Sequence, residues 1–257
     1  MLQVANTERK IEEAVSKNYG YPWPAFHSRE SEESTSEQET SKSFGSEVDD
    51  QSKLEANVMG EFLSIAIGIL LGSLSGYERF DELTDPDNVV PLLGTNHFDD
   101  ELTSSIPKVL GNVFNFRTSD LHGEVQELLG KPLENWLQKD FYPFHLRMYK
   151  NAPIYWMISS PKGHFKALTY IHRLSIDTFA ICRSKYVQPL LGKLKSQQEA
   201  LGSSDPKKAA ALESQIDDVR QLDDLLYDLV LKAPSLDFNE GVVKNHAKFA
   251  SVLRRLR

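Results

Sequence analysis

Apolar residues recur at helical spacing along most of this chain and cluster as strands in one place. Val4, Ile11, Ala14 and Val15 sit among good helix formers, which predicts a helix over Leu2 to Tyr19. Gly20 and the Tyr21-Pro22-Trp23-Pro24 run end it, because each proline lacks an N–H and restricts the residue before it. Leu54 to Leu74 is the next helix, with Gly60, Gly68 and Gly72 spaced for close packing. Gly76 to Phe98 reads as loop, Asp99 to Phe116 as a helix despite Pro107, and Thr118 to Lys139 as one or two more. Pro153–Ser160 and Phe165–Arg173 are rich in aromatic and β-branched residues and flank the turn Pro161-Lys162-Gly163, which predicts a β-hairpin. A helix from Ser175 to Leu201 follows, broken at Gly202-Ser203-Ser204. Asp205 caps the next with Pro206 at its first position, and Leu212, Ile216, Val219, Leu222, Leu226 and Leu229 carry it to Leu231. These two helices pair as an antiparallel hairpin. The expected fold is α+β and mostly helical: a β-hairpin near 153–173 followed by a helix hairpin.

Polar composition interrupts this pattern once. His27 to Lys53 holds eight acids and three bases, a net −5, and almost nothing to bury. Such a segment cannot offset its ordering entropy. The expected organisation is an N-terminal helix and YG segment (1–26), an acidic disordered linker (27–53), and a domain over 54–257. One cysteine, Cys182, excludes an internal disulfide framework and fits a reducing compartment. The N-terminus has no apolar signal-peptide core, and the longest apolar run, Phe62 to Leu74, is too short to span a bilayer. The expectation is a cytoplasmic protein without membrane contact.

Charge then changes the picture. The chain carries −8 overall, yet Lys131 to Lys195 holds eleven Lys/Arg against Glu134, Asp140 and Asp177, a local surplus of +8. Aromatic residues interleave with these cations, as on surfaces that meet polyanions. Lys139, Arg147, Lys150, Lys162, His164, Lys166, Arg173, Arg183 and Lys185 are the candidate phosphate contacts. Tyr142, Phe144, Tyr149, Tyr155 and Trp156 either stack on bases or form core. From composition alone, phosphate contact and a solvated basic face weigh equally. The tail Val242 to Arg257 adds five Lys/Arg and no acid. No histidine pair has metal-ligand spacing, and neither GxGxxG nor GxxxxGK[ST] occurs. Cys182 reads as a packing residue. No catalytic, cofactor or metal residues are assigned.

The segment WLQKDFYPFHLRMYKNAPIYWMISSPKGHFKALTYIHRLSIDTF, from Trp136 to Phe179, resembles the C-terminal region of the adenine-specific DNA methyltransferases of phage defence, the PglX proteins of BREX. It is similar too to Eco57I-like restriction–modification methylases. The ending Leu236 to Phe249 (LDFNEGVVKNHAKF) resembles the family's closing motif. Glu61 to Gly68 (EFLSIAIG) resembles its "EFISYAVG" helix, Asp87 to Leu92 (DNVVPL) its "DNIIPL" element, and Ile11 to Tyr21 the helix ending in "YG". The acidic linker departs from the pattern. In that family an [N/D]-P-P-[Y/F] loop holds the extruded adenine, and a glycine-rich turn binds S-adenosylmethionine. Neither Asp85-Pro86-Asp87 nor Ala152-Pro153-Ile154-Tyr155 substitutes for that tetrapeptide.

The resemblance implies a non-catalytic C-terminal module that contacts DNA, weakly when alone, positions the target or helps assemble a defence complex, and partners a separate methylase catalytic chain. It implies a separately encoded subunit, a split-gene product or a truncated remnant, and places S-adenosylmethionine only in the full-length family. The alternative is a protein-interaction module, built on the helix hairpin and the acidic linker, that binds no DNA.

Overall fold

The computed structural model describes residues 44–74, 81–94, 97–114, 118–201 and 205–256. The expected N-terminal helix, residues 27–43 of the expected linker, and the break at 202–204 lie outside the described residues. The described chain is α+β and mostly helical, as its periodicity predicts. Its described residues divide into two compact units, one within 44–63 and 107–133, the other within 64–106 and 134–256. Both draw on residues expected to form one domain, 54–257.

Helix α1, Phe44–Leu70, starts ten residues before the expected Leu54. Residues 44–53, expected in the acidic linker, are therefore helical. Extending a helix costs less than nucleating one, so the apolar repeat that begins at Leu54 can carry the polar residues before it into the same helix. Helices α2 (Leu102–Phe114) and α3 (Thr118–Leu129) follow, with Pro107 inside α2. In the first unit Met59, Phe62, Leu63, Val109, Leu110, Val125 and Leu129 are buried.

The second unit is built around a three-stranded antiparallel sheet, order β1-β3-β2. Strands β2 (Tyr155–Ser159) and β3 (Lys166–Tyr170) form the predicted hairpin, in register from Tyr155↔Tyr170 to Ser159↔Lys166. Strand β1, Val90–Pro91, is a two-residue addition within the expected loop. Asn88 extends this pairing with its side chain. Its amide nitrogen donates to the Tyr170 carbonyl and the Thr169 hydroxyl, and its oxygen accepts from the Tyr170 N–H, all at 3.0 Å. The free edge of β2 is closed by the C-terminal tail. Ser159 N–H donates to the Val252 carbonyl at 2.9 Å, and Arg254 N–H donates to the Met157 carbonyl at 2.8 Å. Covering an edge in this way removes a site for unwanted strand pairing.

One sheet face carries Trp156, Ile158, Ala167 and Leu253 into an extended apolar cluster. Its other members come mainly from α6 (Ile176–Ile181), the π-helical turn Cys182–Val187, α7 (Gln188–Leu201) and α8 (Pro206–Lys232). Helices α7 and α8 form the predicted hairpin. Asp205 caps α8, accepting from Lys208 N–H at 3.0 Å, with Pro206 opening the helix. Cys182 is fully buried in this cluster, and burial pushes its thiol pKa up. The opposite face carries Tyr155, Met157, Ser159, Lys166, Leu168 and Tyr170, by the alternation of strand side chains.

Two helices reach that second face. They are α4 (Leu133–Lys139) and α5 (Phe141–Met148), the latter formed within the aromatic stretch. His145 of α5 stacks on Tyr155 at 4.6 Å between ring centres, and its Nε2 accepts the Tyr155 N–H at 3.1 Å. The closing motif is tied together by Asn245, whose amide donates to the carbonyls of Asp237 (2.6 Å) and Gly241 (2.9 Å). Helix α9, Val242–Lys248, begins there. No described helix is long and apolar enough to cross a membrane.

Candidate nucleic-acid interface

Four of the nine candidate cations are committed to the protein itself. Arg173 donates to three carbonyls, Leu71 and Asp85 at 3.0 Å and Pro86 at 3.2 Å, and so ties the end of the hairpin to two upstream segments. Gly72 lies against it: a Cβ there would sit 2.8 Å from Arg173 Nη1, and its φ is +71°. Arg183 pairs with Asp223 at 2.9 Å and lies over the Tyr227 ring. Lys185 bridges Asp87 at 2.9 Å and Asp100 at 3.1 Å. Burial works against the Lys185 charge, but its bonds with Tyr186, Asp87 and Asp100 outweigh this and raise its pKa. His164 meets Asp218 at 2.9 Å through Nδ1. These four were expected at phosphates; each already has a partner inside the fold.

Asp218 is the centre of the hairpin turn, although it comes from α8. Its buried carboxylate accepts from the Ser160 hydroxyl (2.6 Å), Lys162 N–H (2.7 Å) and His164 N–H (3.2 Å). Burial favours its neutral form, but the hydrogen bonds from Ser160, Lys162 and His164 prevail and hold its pKa below the usual carboxylate range. Sequence reading placed no function on Asp218, since its partners lie more than fifty residues away.

The remaining five candidates have no carboxylate partner among the described residues. Lys139, Arg147 and Lys150 are exposed, and Arg147 lies over the Phe144 ring at 5.9 Å. Lys162 is exposed, with its Nζ on the Ser214 hydroxyl at 3.1 Å. Lys166 is half-buried, and its Nζ donates to the Gln138 carbonyl in the last turn of α4 at 3.3 Å. Burial first, then the charges of Arg254 and Lys139, lower its pKa. Arg254 belongs with this group, and the acid-free tail was the only sequence signal for it. Its backbone is pinned by Met157 on one side and by His246 Nε2, 3.1 Å from the Arg254 carbonyl, on the other. Its guanidinium lies over Tyr142 at 5.8 Å and beside Met157 Sδ at 3.8 Å.

The aromatic candidates divide in the same way. Tyr142, Tyr155 and Trp156 are buried core residues; Phe144 and Tyr149 are half-buried. No cluster of three or more His, Cys, Asp or Glu able to hold a metal ion occurs among the described residues.

No family model matches the chain. It is 26% identical to the adenine-specific methyltransferase BrxX of Escherichia coli O9:H4 (strain HS), over 77% of this chain and 20% of that protein. It is 31% identical to the adenine-specific methyltransferase PglX of Lacticaseibacillus casei (strain Zhang), over 51% of this chain and 12% of that protein. The chain is related to the PglX-like methyltransferases of BREX. It spans a fifth or less of the length of the curated relatives it matches.

Proposed function

We propose that this chain serves as a non-catalytic, DNA-contacting module of a PglX-like adenine methyltransferase. The carrying observation is how the candidate cations divide: among the described residues Lys139, Arg147, Lys150, Lys162, Lys166 and Arg254 have no carboxylate partner, while His164, Arg183 and Lys185 meet carboxylates and Arg173 is taken up by three backbone carbonyls. Cations that serve only solubility need no such separation. Phosphate contact uses it, because each neutralised phosphate releases condensed counterions. The sequence carries no [N/D]-P-P-[Y/F] loop, so methyl transfer is assigned to a separate catalytic partner. Calorimetric titration of the chain with S-adenosylmethionine is expected to show no heat of binding; micromolar affinity would contradict this assignment.

The test of contact is fluorescence anisotropy with a labelled duplex at low salt. Charge reversal of Arg147 and Lys150 together is expected to weaken binding at least fivefold. Reversal of Lys207 and Lys208, on α8, should change it less than twofold. Equal effects of the two pairs would sink the reading. A protein-docking role has its own observation: a groove lined by Asp177, Ile181, Arg183, Tyr227 and Val230, with Tyr227 half exposed and Leu231 exposed on the same helix. Absence of DNA binding at low salt would turn the assignment to that surface.

A further inference from the structure

We propose that Lys139, Lys166 and Arg254 form one phosphate seat, which takes a single backbone phosphodiester of nucleic acid. This deepens the DNA-contact reading and rests on it for the source of the phosphate. Three different elements bring these cations together. Lys139 ends α4, Lys166 opens β3, and Arg254 lies on the tail that closes the edge of β2.

Strand alternation puts Lys166 and Arg254 on the same sheet face. Lys166 is opposite Ser159 in register. Arg254 follows Leu253, which faces the other way in its bridge to Ile158, and the Arg254 guanidinium reaches Met157 on the Lys166 face. The Lys166–Gln138 bond then sets the ammonium against the end of α4, next to Lys139.

Two of the three heads are held in place rather than left to solvent. Lys166 is half-buried and hydrogen-bonded. Arg254 is fixed through both its backbone groups and rests on Tyr142. Lys139 is exposed and forms the rim. Like charges held close are unfavourable when the site is empty; burial first, and then the charges of Arg254 and Lys139, lower the Lys166 pKa. A bound anion reverses that repulsion. A phosphodiester has the right charge and offers its oxygens to an ammonium and a planar guanidinium together.

The test uses the full chain and two probes. Inorganic phosphate is titrated while the Lys166 side-chain ammonium is followed by NMR. A saturable shift is expected, weakened at least threefold by Lys139→Gln, an exposed substitution that leaves the fold intact, and unchanged by Lys207→Gln. A labelled duplex is then titrated across salt, where Lys139→Gln and Arg254→Gln are each expected to weaken low-salt binding at least threefold, and the two together to reduce the salt slope by no more than about one contact, since they share one phosphate. Duplex binding unaltered in both variants, together with no phosphate response, overturns the seat and leaves the DNA-contact reading standing. A phosphate response without duplex binding supports the seat but overturns nucleic acid as its ligand. No response to either probe overturns both.

Discussion

Asp218 and His145 show how single buried polar groups hold the hairpin in place. Asp218 receives three donors from the Ser160–His164 turn besides the His164 ring. Asp218→Ala leaves those donors buried and unsatisfied. Urea unfolding is expected to show a loss of about 3 kcal/mol, in the range for breaking a buried charged network. Because its pKa is depressed in the folded state, its contribution is present above the unfolded carboxylate value and disappears as pH falls through the lower folded value. His145 acts at higher pH. Burial pushes its pKa down to about 3, so the folded ring stays neutral while the unfolded one protonates near 6.5. Its stabilisation is complete above pH 6.5 and falls as pH drops from there toward 3. At pH 5 this amounts to about 2 kcal/mol relative to pH 7. His246, also lowered by burial, adds in the same direction. Unfolding at the two pH values should show this loss in the wild type and a smaller one in His145→Gln; an equal loss in both would contradict the assignment.

At the scale of elements, Gly72 and Arg173 join the hairpin to the end of α1. Gly72→Ala would force a side chain into a left-handed backbone and against Arg173 and Thr84. The expected cost is about 1–3 kcal/mol, read from the denaturation midpoint. A neutral result would mean that Arg173 has another resting place. The hairpin, the α7–α8 pair and the Asp205-Pro206 start of α8 were legible in the sequence because each rests on local signals: periodicity, a turn tripeptide, a cap. Strand β1 was not, since two residues leave no alternation to detect and its partner, β3, lies more than seventy residues further along the chain. The early start of α1 was hidden by its polar composition, which reads as linker although the same residues tolerate a helix. The internal partners of the cations were least legible of all. Counting cations found the basic island, but the partners of Arg173, Arg183, Lys185 and His164 come from segments 40 to 102 residues away, and only folding tells them from Lys139 or Lys166.

At the scale of the whole molecule, a chain of net charge −8 carries a local surplus of +8 between Lys131 and Lys195. Long-range repulsion from the acidic remainder opposes DNA, while short-range contacts at the island favour it, so affinity should be weak and insensitive to sequence. The adenine-specific methyltransferases it matches are at least five times longer than the stretch it covers. The most direct measurement is the dissociation constant for a labelled duplex between 50 and 200 mM salt. With roughly four phosphate contacts, log affinity should fall linearly with log salt at a slope of about −3 to −4, a loss of roughly two orders of magnitude. A flat dependence, or no binding at the lowest salt, would contradict phosphate contact by this chain.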